Sequence, residues 1–294
     1  MKDIYLLGSL NMDLAIYAPR YPEAGETLRG SSFRTGAGGK GLNQAVAAAK
    51  LGAKVHFLGA IGHDSFGQEM KKVLVQNRID VASLQEKDGV SSGVALIEVC
   101  EAENRIVLDL GANEKIERPE IEAFLAKAQP GDIFLTQGEN NLDACRYALS
   151  VAHQKGLRTI LNPAPADKTM LSFLGDVDVF CPNETEFNFL SEEGNPSLLK
   201  LPLLIVTLGK KGSVYFEHGQ SHNVEAVTVP AVDSTGAGDA YCGALAYGLA
   251  CDYSSEEAIR LAGLYASLKV TRKGTSVAMP TSAELLAFIR SIKK

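Results

Sequence analysis

The chain has 294 residues, 46% of them hydrophobic and 22% charged, with a formal net charge of −6. This supplies enough apolar sequence for a large core and argues against a basic nucleic-acid-binding surface. Five scattered cysteines without a C-x-x-C pair point to reduced thiols and a cytoplasmic location, and no apolar run approaches the roughly 18–20 residues of a membrane helix.

Ile4–Leu7 reads as a first strand and not as a secretory leader, because Asp13 soon interrupts the apolar run. Asn11 and Asp13 are two residues apart, so on an extended segment both side chains point the same way. An amide beside a carboxylate suits vicinal hydroxyls; it equally suits a turn. Leu14–Tyr17 and Thr27–Phe33 read as strands with no helix between them. Gly36-Ala37-Gly38-Gly39-Lys40-Gly41-Leu42-Asn43 then leads into a helix over Gln44–Leu51. Its G-x-G-x-x-G spacing matches the dinucleotide fingerprint as a string, but the string does not follow the first strand. Nor does Lys40 open a G-K-[ST] phosphate loop. The local alternatives are a tight turn or a loop whose N–H groups, Lys40 and Asn43 converge on a hydroxyl-rich ligand.

Lys54–Leu58 reads as a strand and Phe66–Asn77 as a helix. Gly93–Val99 and Arg105–Leu110 read as a hairpin around Cys100–Asn104. Helix and strand then alternate: Ile121–Ala128, Asp132–Thr136, Leu142–Lys155, Arg158–Leu161, Val177–Phe180 and Leu203–Thr207. Alternation of this kind predicts an α/β fold, with a mainly parallel sheet covered by helices on both faces. The excursions at about 12–35 and 91–111 break it. They predict a small second sheet, a lid on one domain spanning 1–294, which could also pair subunits into a homodimer.

Asn183-Glu184-Thr185-Glu186 has N-x-x-E capping spacing, or alternatively serves metal-bound water or phosphate. Thr207 and Gly209 end a strand where open α/β sheets bind ligands, unless they simply open a turn before Lys210-Lys211-Gly212. His218 and His222 flank Gly219 in an expected turn and suggest no metal site. The last segments are a strand-like Val227–Val232 and helices over Ala240–Ala250, Ser255–Thr271 and Thr281–Ile292. Between the first two lies Asp233-Ser234-Thr235-Gly236-Ala237-Gly238-Asp239. Small residues at a helix start leave N–H groups open to an anion, and an acid directly after them can take a proton from a nucleophile. That is the layout of a phosphoryl-transfer site.

Gly38 through Ala45, continuing to Gly52 and Gly62, together with Asp233 through Ala246, resemble the two signatures of the ribokinase-like carbohydrate kinases, the phosphofructokinase B type. The likeness runs from Gly8 to about Pro280. Asn11–Asp13, Gly93–Ile97, Gly111–Asn113, Asn162–Ala166 and Arg272–Gly274 are most similar to the ribose-phosphorylating members. The resemblance implies a Rossmann-type three-layer sandwich and transfer from ATP to O5 of D-ribose, with Mg²⁺ as cofactor and K⁺ as activator. It implies that Asn11, Asp13, Gly39, Lys40, Asn43 and Glu139 hold the sugar, against Ala95, Ile97 and Leu108. Asp239 would be the base, with Gly236, Ala237 and Gly238 as the anion hole. Asn183, Thr207, Gly209 and Gly238 would serve ATP, and Glu186 Mg²⁺ through water. Asp233, Thr235, Lys269, Arg272 and Gly274, mostly by backbone, would cage K⁺, with Ala278 where the family often has serine.

Three departures stand out: a short Asn188–Pro202 segment predicting a trimmed nucleotide wall, Gly138 loosening the turn before Glu139, and a bulky Met12 reshaping the sugar pocket. Deoxyribose, fructose or adenosine are the alternative acceptors. An NAD-dependent oxidoreductase leaves Gly236–Asp239 unexplained, and a non-catalytic sugar sensor leaves Asp239 without a purpose. No nucleic-acid or membrane partner is expected.

Overall fold

The computed structural model describes residues 1–100, 103–191 and 198–292. Along the chain run β1 (Ile4–Leu7), β2 (Asn11–Tyr17), β3 (Ser31–Gly38), α1 (Lys40–Leu51), β4 (Val55–Leu58), β5 (Ala60–Gly62), α2 (Ser65–Gln76) and β6 (Gln85–Lys87). They are followed by β7 (Gly93–Cys100), β8 (Glu103–Asp109), α3 (Arg118–Leu125), β9 (Ile133–Thr136), α4 (Leu142–Gln154), β10 (Arg158–Leu161), β11 (Val179–Phe180) and α5 (Glu184–Ser191). The last are β12 (Leu203–Thr207), β13 (Ser213–Glu217), β14 (Gln220–Val224), α6 (Ala237–Ala250), α7 (Ser255–Lys269) and α8 (Ser282–Ile292).

The main sheet has the order β14-β13-β12-β11-β10-β9-β1-β4. It is parallel from β4 to β12, and β13 and β14 join antiparallel. Every residue of β1 and β9 is buried, as expected when helices cover both faces. The period-2 alternation of the strands divides the core. Ile4, Leu6, Ile133 and Leu135 pack with α1, α2, α6, α7 and α8; Tyr5, Leu7 and Phe134 pack with α3, α4 and α5. The result is a three-layer sandwich.

Local chemistry fixes the helices. Alanines 45, 47, 48 and 49 give α1 high helix propensity, and Gly52 ends it at φ 109, donating to the Ala48 and Ala49 carbonyls. Asp64 accepts from Gly67 N to start α2, and Ser254 and Glu257 form a reciprocal capping box on α7. In α6, a Cβ on Gly243 would stand 2.5 Å from the Gln44 carbonyl oxygen. Only glycine lets α1 and α6 approach this closely.

A second sheet, β3-β2-β7-β8, stands apart from the first. Its register pairs Asp13 with both Gly36 and Ala95, Ala15 with Ile97, and Ala95 with Leu108. Asn11, Asp13, Ala95, Ile97 and Leu108 therefore share one face. Met12 lies on the other face, wholly buried in the core, so its side chain cannot shape a pocket beside Asp13.

Several boundaries differ from the sequence expectations. Strand β3 covers 31–38 where Thr27–Phe33 was expected, so Gly36 and Gly38 are strand residues paired with β2. Val227–Val232 is apolar but forms no strand; Val232 and Asp233 instead donate their N–H groups to the Val270 carbonyl at the end of α7. The turn expected around Gly219 is the loop of the β13–β14 hairpin, whose two strands were not assigned, and the small β5–β6 pair was not anticipated. Residues 101–102 of the expected hairpin turn lie outside the described residues, as do 192–197, the middle of the segment expected to trim the nucleotide wall.

Candidate active site

The carboxyl ends of β1, β9, β10, β11 and β12 open side by side. The residues that follow them (Ser9, Gln137–Asn140, Asn162, Asn183) meet the N-termini of α1 and α6 there. An open α/β sheet places its ligand site at such ends.

Glu139 ties this region together. Its Oε2 accepts from Ser9 Oγ at 2.7 Å, from Lys40 N at 3.0 Å and from Asn11 Nδ2 at 3.2 Å. A protein carboxylate thus already satisfies the start of α1 and complements its dipole. This is the physical reason that the Gly36–Gly41 string is not a pyrophosphate site. Two of its glycines serve close packing: a Cβ on Gly38 would lie 2.4 Å from Asp13 Oδ2, and one on Gly41 2.4 Å from backbone atoms of Gly8 and Ser9. Gly39, at φ 89, makes the turn into the helix. Asn113 supports the same corner, donating from Nδ2 to Asn11 Oδ1 at 2.9 Å and accepting from Leu10 N.

Asp239 is buried in the first turn of α6. Its Oδ2 accepts from Asn43 Nδ2 at 2.9 Å and its Oδ1 from Gln44 Nε2 at 3.1 Å. Gln44 also donates to Asn162 Oδ1 at 3.0 Å and accepts from Gln137 Nε2 at 2.8 Å. The base candidate is therefore held at both oxygens by α1, whose amide is oriented in turn by β9 and β10. Just before it, Gly236 adopts φ 73, and the N–H groups of Gly236 and Gly238 find no acceptor among the described residues. The Ala237 N–H donates to the Ser234 carbonyl at 3.1 Å, so this member of the expected anion hole is already engaged.

The adjoining cavity is lined by Lys40, Asn162, Glu186, Thr207 and Gly236–Asp239, among others. Lys40 was expected with the sugar; it lines this cavity together with Asp239. Burial pulls its ammonium pKa down, and the carboxylates of Asp239, Glu139 and Glu186 outweigh that and raise it. Asn183 and Glu186 form the capping reading and also line the cavity: Asn183 N donates to Glu186 Oε2, and Glu186 N to Asn183 Oδ1, each at 2.8 Å. Burial raises the Glu186 carboxyl. Gly209 is exposed and off the cavity wall.

On the small sheet, Asp13 faces the same centre. No protein donor reaches its carboxylate among the described residues; burial, then the charges of Glu139 and Asp239, push it up to about 7. Ala95 is buried, and Ile97 and Leu108 are half-buried, on its face. Gly138 does not loosen the turn before Glu139. A Cβ there would stand 2.5 Å from Met170 Cε and 2.6 Å from the Pro165 carbonyl oxygen, so glycine is what lets this turn pack.

The residues expected to cage K⁺ do meet, but the carboxylate of Asp233 and the carbonyls of Asp233, Thr235 and Lys269 are already engaged. Asp233 Oδ1 accepts from Thr235 N and Oδ2 from Gly274 N, both at 2.9 Å. The carbonyls of Asp233 and Thr235 accept from the Lys269 ammonium, the first at 3.2 Å. Lys269 thus enters by its side chain, while its carbonyl accepts from Arg272 N. The Arg272 guanidinium turns away to Glu284 at 3.0 Å, and Ala278 is buried. With the Lys269 ammonium already on two of the carbonyls, the donor set fits an additional bound cation poorly.

Sequence reasoning gave no role to Gln44, Gln137 or Asn162. Gln44 and Asn162 sat inside the quoted motifs, but only the fold reveals that they position Asp239.

The sequence profile of the pfkB family carbohydrate kinases matches residues 1–282. Ribokinase of Haemophilus influenzae is 36% identical over 98% of this chain and 98% of its own. Deoxyribokinase of Salmonella typhi is 35% identical over 95% of this chain and 96% of its own. The structure of Arabidopsis thaliana ribokinase complexed with ribose and ATP superposes with a TM-score of 0.88, at 27% identity, covering 98% of this chain and 99% of that one.

Proposed function

The chain belongs to the pfkB family of carbohydrate kinases, and we propose on that footing that it transfers the terminal phosphoryl group of ATP to the 5-hydroxyl of D-ribose. The observation that carries this reading is the buried Asp239 carboxylate, fixed by Asn43 and Gln44 beside the N–H groups of Gly236 and Gly238, which have no acceptor among the described residues. Asp239 takes the hydroxyl proton as the oxygen attacks phosphorus. The Gly236–Gly238 turn and the Lys40 ammonium hold the charge on the transferred group. Positioned base catalysis of this kind contributes about 10²–10⁴-fold.

Asn11, Asp13, Asn43, Gly39 and one oxygen of Glu139 hold the sugar hydroxyls, against the apolar wall of Ala95, Ile97 and Leu108. Asn183 and Thr207 on the cavity wall border the nucleotide, with Gly209 outside that wall just past the end of β12. Among the described residues, no three His, Cys, Asp or Glu side chains group to hold a metal alone. A hard cation that arrives on phosphates needs only one or two carboxylates. Glu186 on the cavity wall fits that task, through water, and Mg²⁺ would supply charge neutralisation of the phosphates. Asp239, Lys40 and the α6 turn perform their steps as above.

The small sheet, from about 12–35 and 91–111, acts as a lid on a single kinase domain. Its outer face exposes Ile16, Leu96 and Val107, which supports pairing with a second copy. A cytoplasmic location accords with five free cysteines, four of them buried.

The deciding experiment measures ADP release with ribose, 2-deoxyribose, fructose and adenosine as acceptors. Ribose is expected to give the highest kcat/KM. A higher value for 2-deoxyribose would replace the sugar assigned here, because that acceptor leaves part of the Asn11–Asp13–Glu139 polar set unused. No turnover with any acceptor would favour a sugar sensor.

A further inference from the structure

We propose that the ammonium group of Lys269 is a built-in cation behind the phosphoryl-binding turn, standing where the family resemblance predicts a bound monovalent ion, so that this enzyme works without potassium. The inference deepens the kinase reading and rests on it.

Lys269 is the last residue of α7, and its side chain is fully buried at 0% exposure. A buried ammonium needs oxygen partners, and a lysine offers three N–H donors and no acceptor. The partners here are the main-chain carbonyls of Asp233 and Thr235. These two carbonyls flank Ser234 in the turn that delivers Gly236 and Asp239, and that of Thr235 is among the groups expected to face K⁺. The Asp233 carboxylate cannot swing to another cation without releasing Thr235 N and Gly274 N. Ala278 brings no side-chain oxygen, and the Ser276 hydroxyl, two residues earlier, donates to the Ala37 carbonyl at 2.8 Å. The Asp233 carboxylate, the Ser276 hydroxyl and the carbonyls on the turn side are thus either spent or drawn onto the lysine, whose ammonium fills the place between them.

The arrangement also has a direction. Holding the carbonyls of 233 and 235 backward turns the following N–H groups forward, toward the cavity. A positive charge behind that turn stabilises an anion in front of it, as a soluble cation would. Burial lowers the Lys269 pKa, and the Asp233 and Asp239 carboxylates oppose that fall. Because the charge is covalently attached, no binding equilibrium with salt governs it.

The test compares rates in KCl and in tetramethylammonium chloride at equal ionic strength, together with melting temperatures in the same salts without sugar. The wild-type enzyme is expected to show the same rate and the same Tm in both. Lys269→Ser opens the space and is expected to lose about tenfold or more in kcat in tetramethylammonium. K⁺ should restore much of that rate and raise the Tm of the variant alone. The melting arm needs no turnover, so it judges the cation site even if the acceptor has been misassigned. Severalfold activation of the wild type by K⁺ would overturn the proposal. So would a Lys269→Ser enzyme of undiminished rate whose Tm ignores K⁺. If the variant folds in neither salt, the wild-type comparison decides.

Discussion

Asp13 is the residue where binding and stability conflict most directly. Among the described residues no protein donor reaches its carboxylate, which lies between the charges of Glu139 and Asp239 and is pushed up to about 7 from 3.8. A carboxyl whose folded value exceeds its unfolded value opposes folding once it ionises. The cost is absent below the unfolded value, grows between 3.8 and about 7, and is complete above that. At about 1.4 kcal/mol per pH unit, that interval sets an upper bound of roughly 4 kcal/mol at pH 8. Asp13→Asn keeps the shape against Gly38 and removes the charge. Urea unfolding should therefore show the variant gaining stability over wild type as pH rises from 5 to 8. Sugar hydroxyls supply the missing donors and favour the ionised form, so wild-type kcat/KM for ribose should fall below pH 7. The variant should lose that pH dependence and bind ribose more weakly, by about tenfold or more for the loss of a charged hydrogen bond. A stability difference that stays constant from pH 5 to 8 would refute the reasoning.

Asp239→Asn should lower kcat by about 10²–10⁴ while ribose binding largely survives; near-normal turnover removes Asp239 from the role of base. Gly138→Ala should destabilise by about 1–3 kcal/mol through collision with Met170 and Pro165, and an unshifted urea midpoint would show that the turn yields freely. Asn183→Ala removes the cap on Glu186 N and should cost about 0.5–2 kcal/mol. It should also raise the KM for ATP more than that for ribose, and an equal rise in both would detach Asn183 from the nucleotide side.

The parts legible in the sequence are those whose constraints are local. Gly38, Gly41 and Gly243 stand where another chain segment comes too close for a side chain, and each lies in or beside a motif that spacing alone exposes. Strands β1 and β9 are continuous apolar runs because both faces are covered. Val227–Val232 misled because apolar composition reports burial or partnership, not the ladder; its end pairs with the Val270 carbonyl instead. Gln44 was silent because its partners, Gln137, Asn162 and Asp239, lie 93, 118 and 195 residues away. Lys269 was placed at the right locus but through its main chain. Nothing in a helix-ending lysine announces that its stem will turn inward to two carbonyls.

The span between Gln44 and Asp239 has a consequence in time. A ribosome adding about 5–20 residues per second needs roughly 10–40 seconds to cover the 195 positions between them. Throughout that interval, helix α1 has emerged but α6, against which Gly243 lets it pack, has not. Its small apolar side chains must wait uncovered. Chains stalled before Tyr241 should therefore expose α1 to protease, whereas released chains should protect it. The same late closure that assembles the reacting groups leaves that face of α1 open until α6 is synthesised.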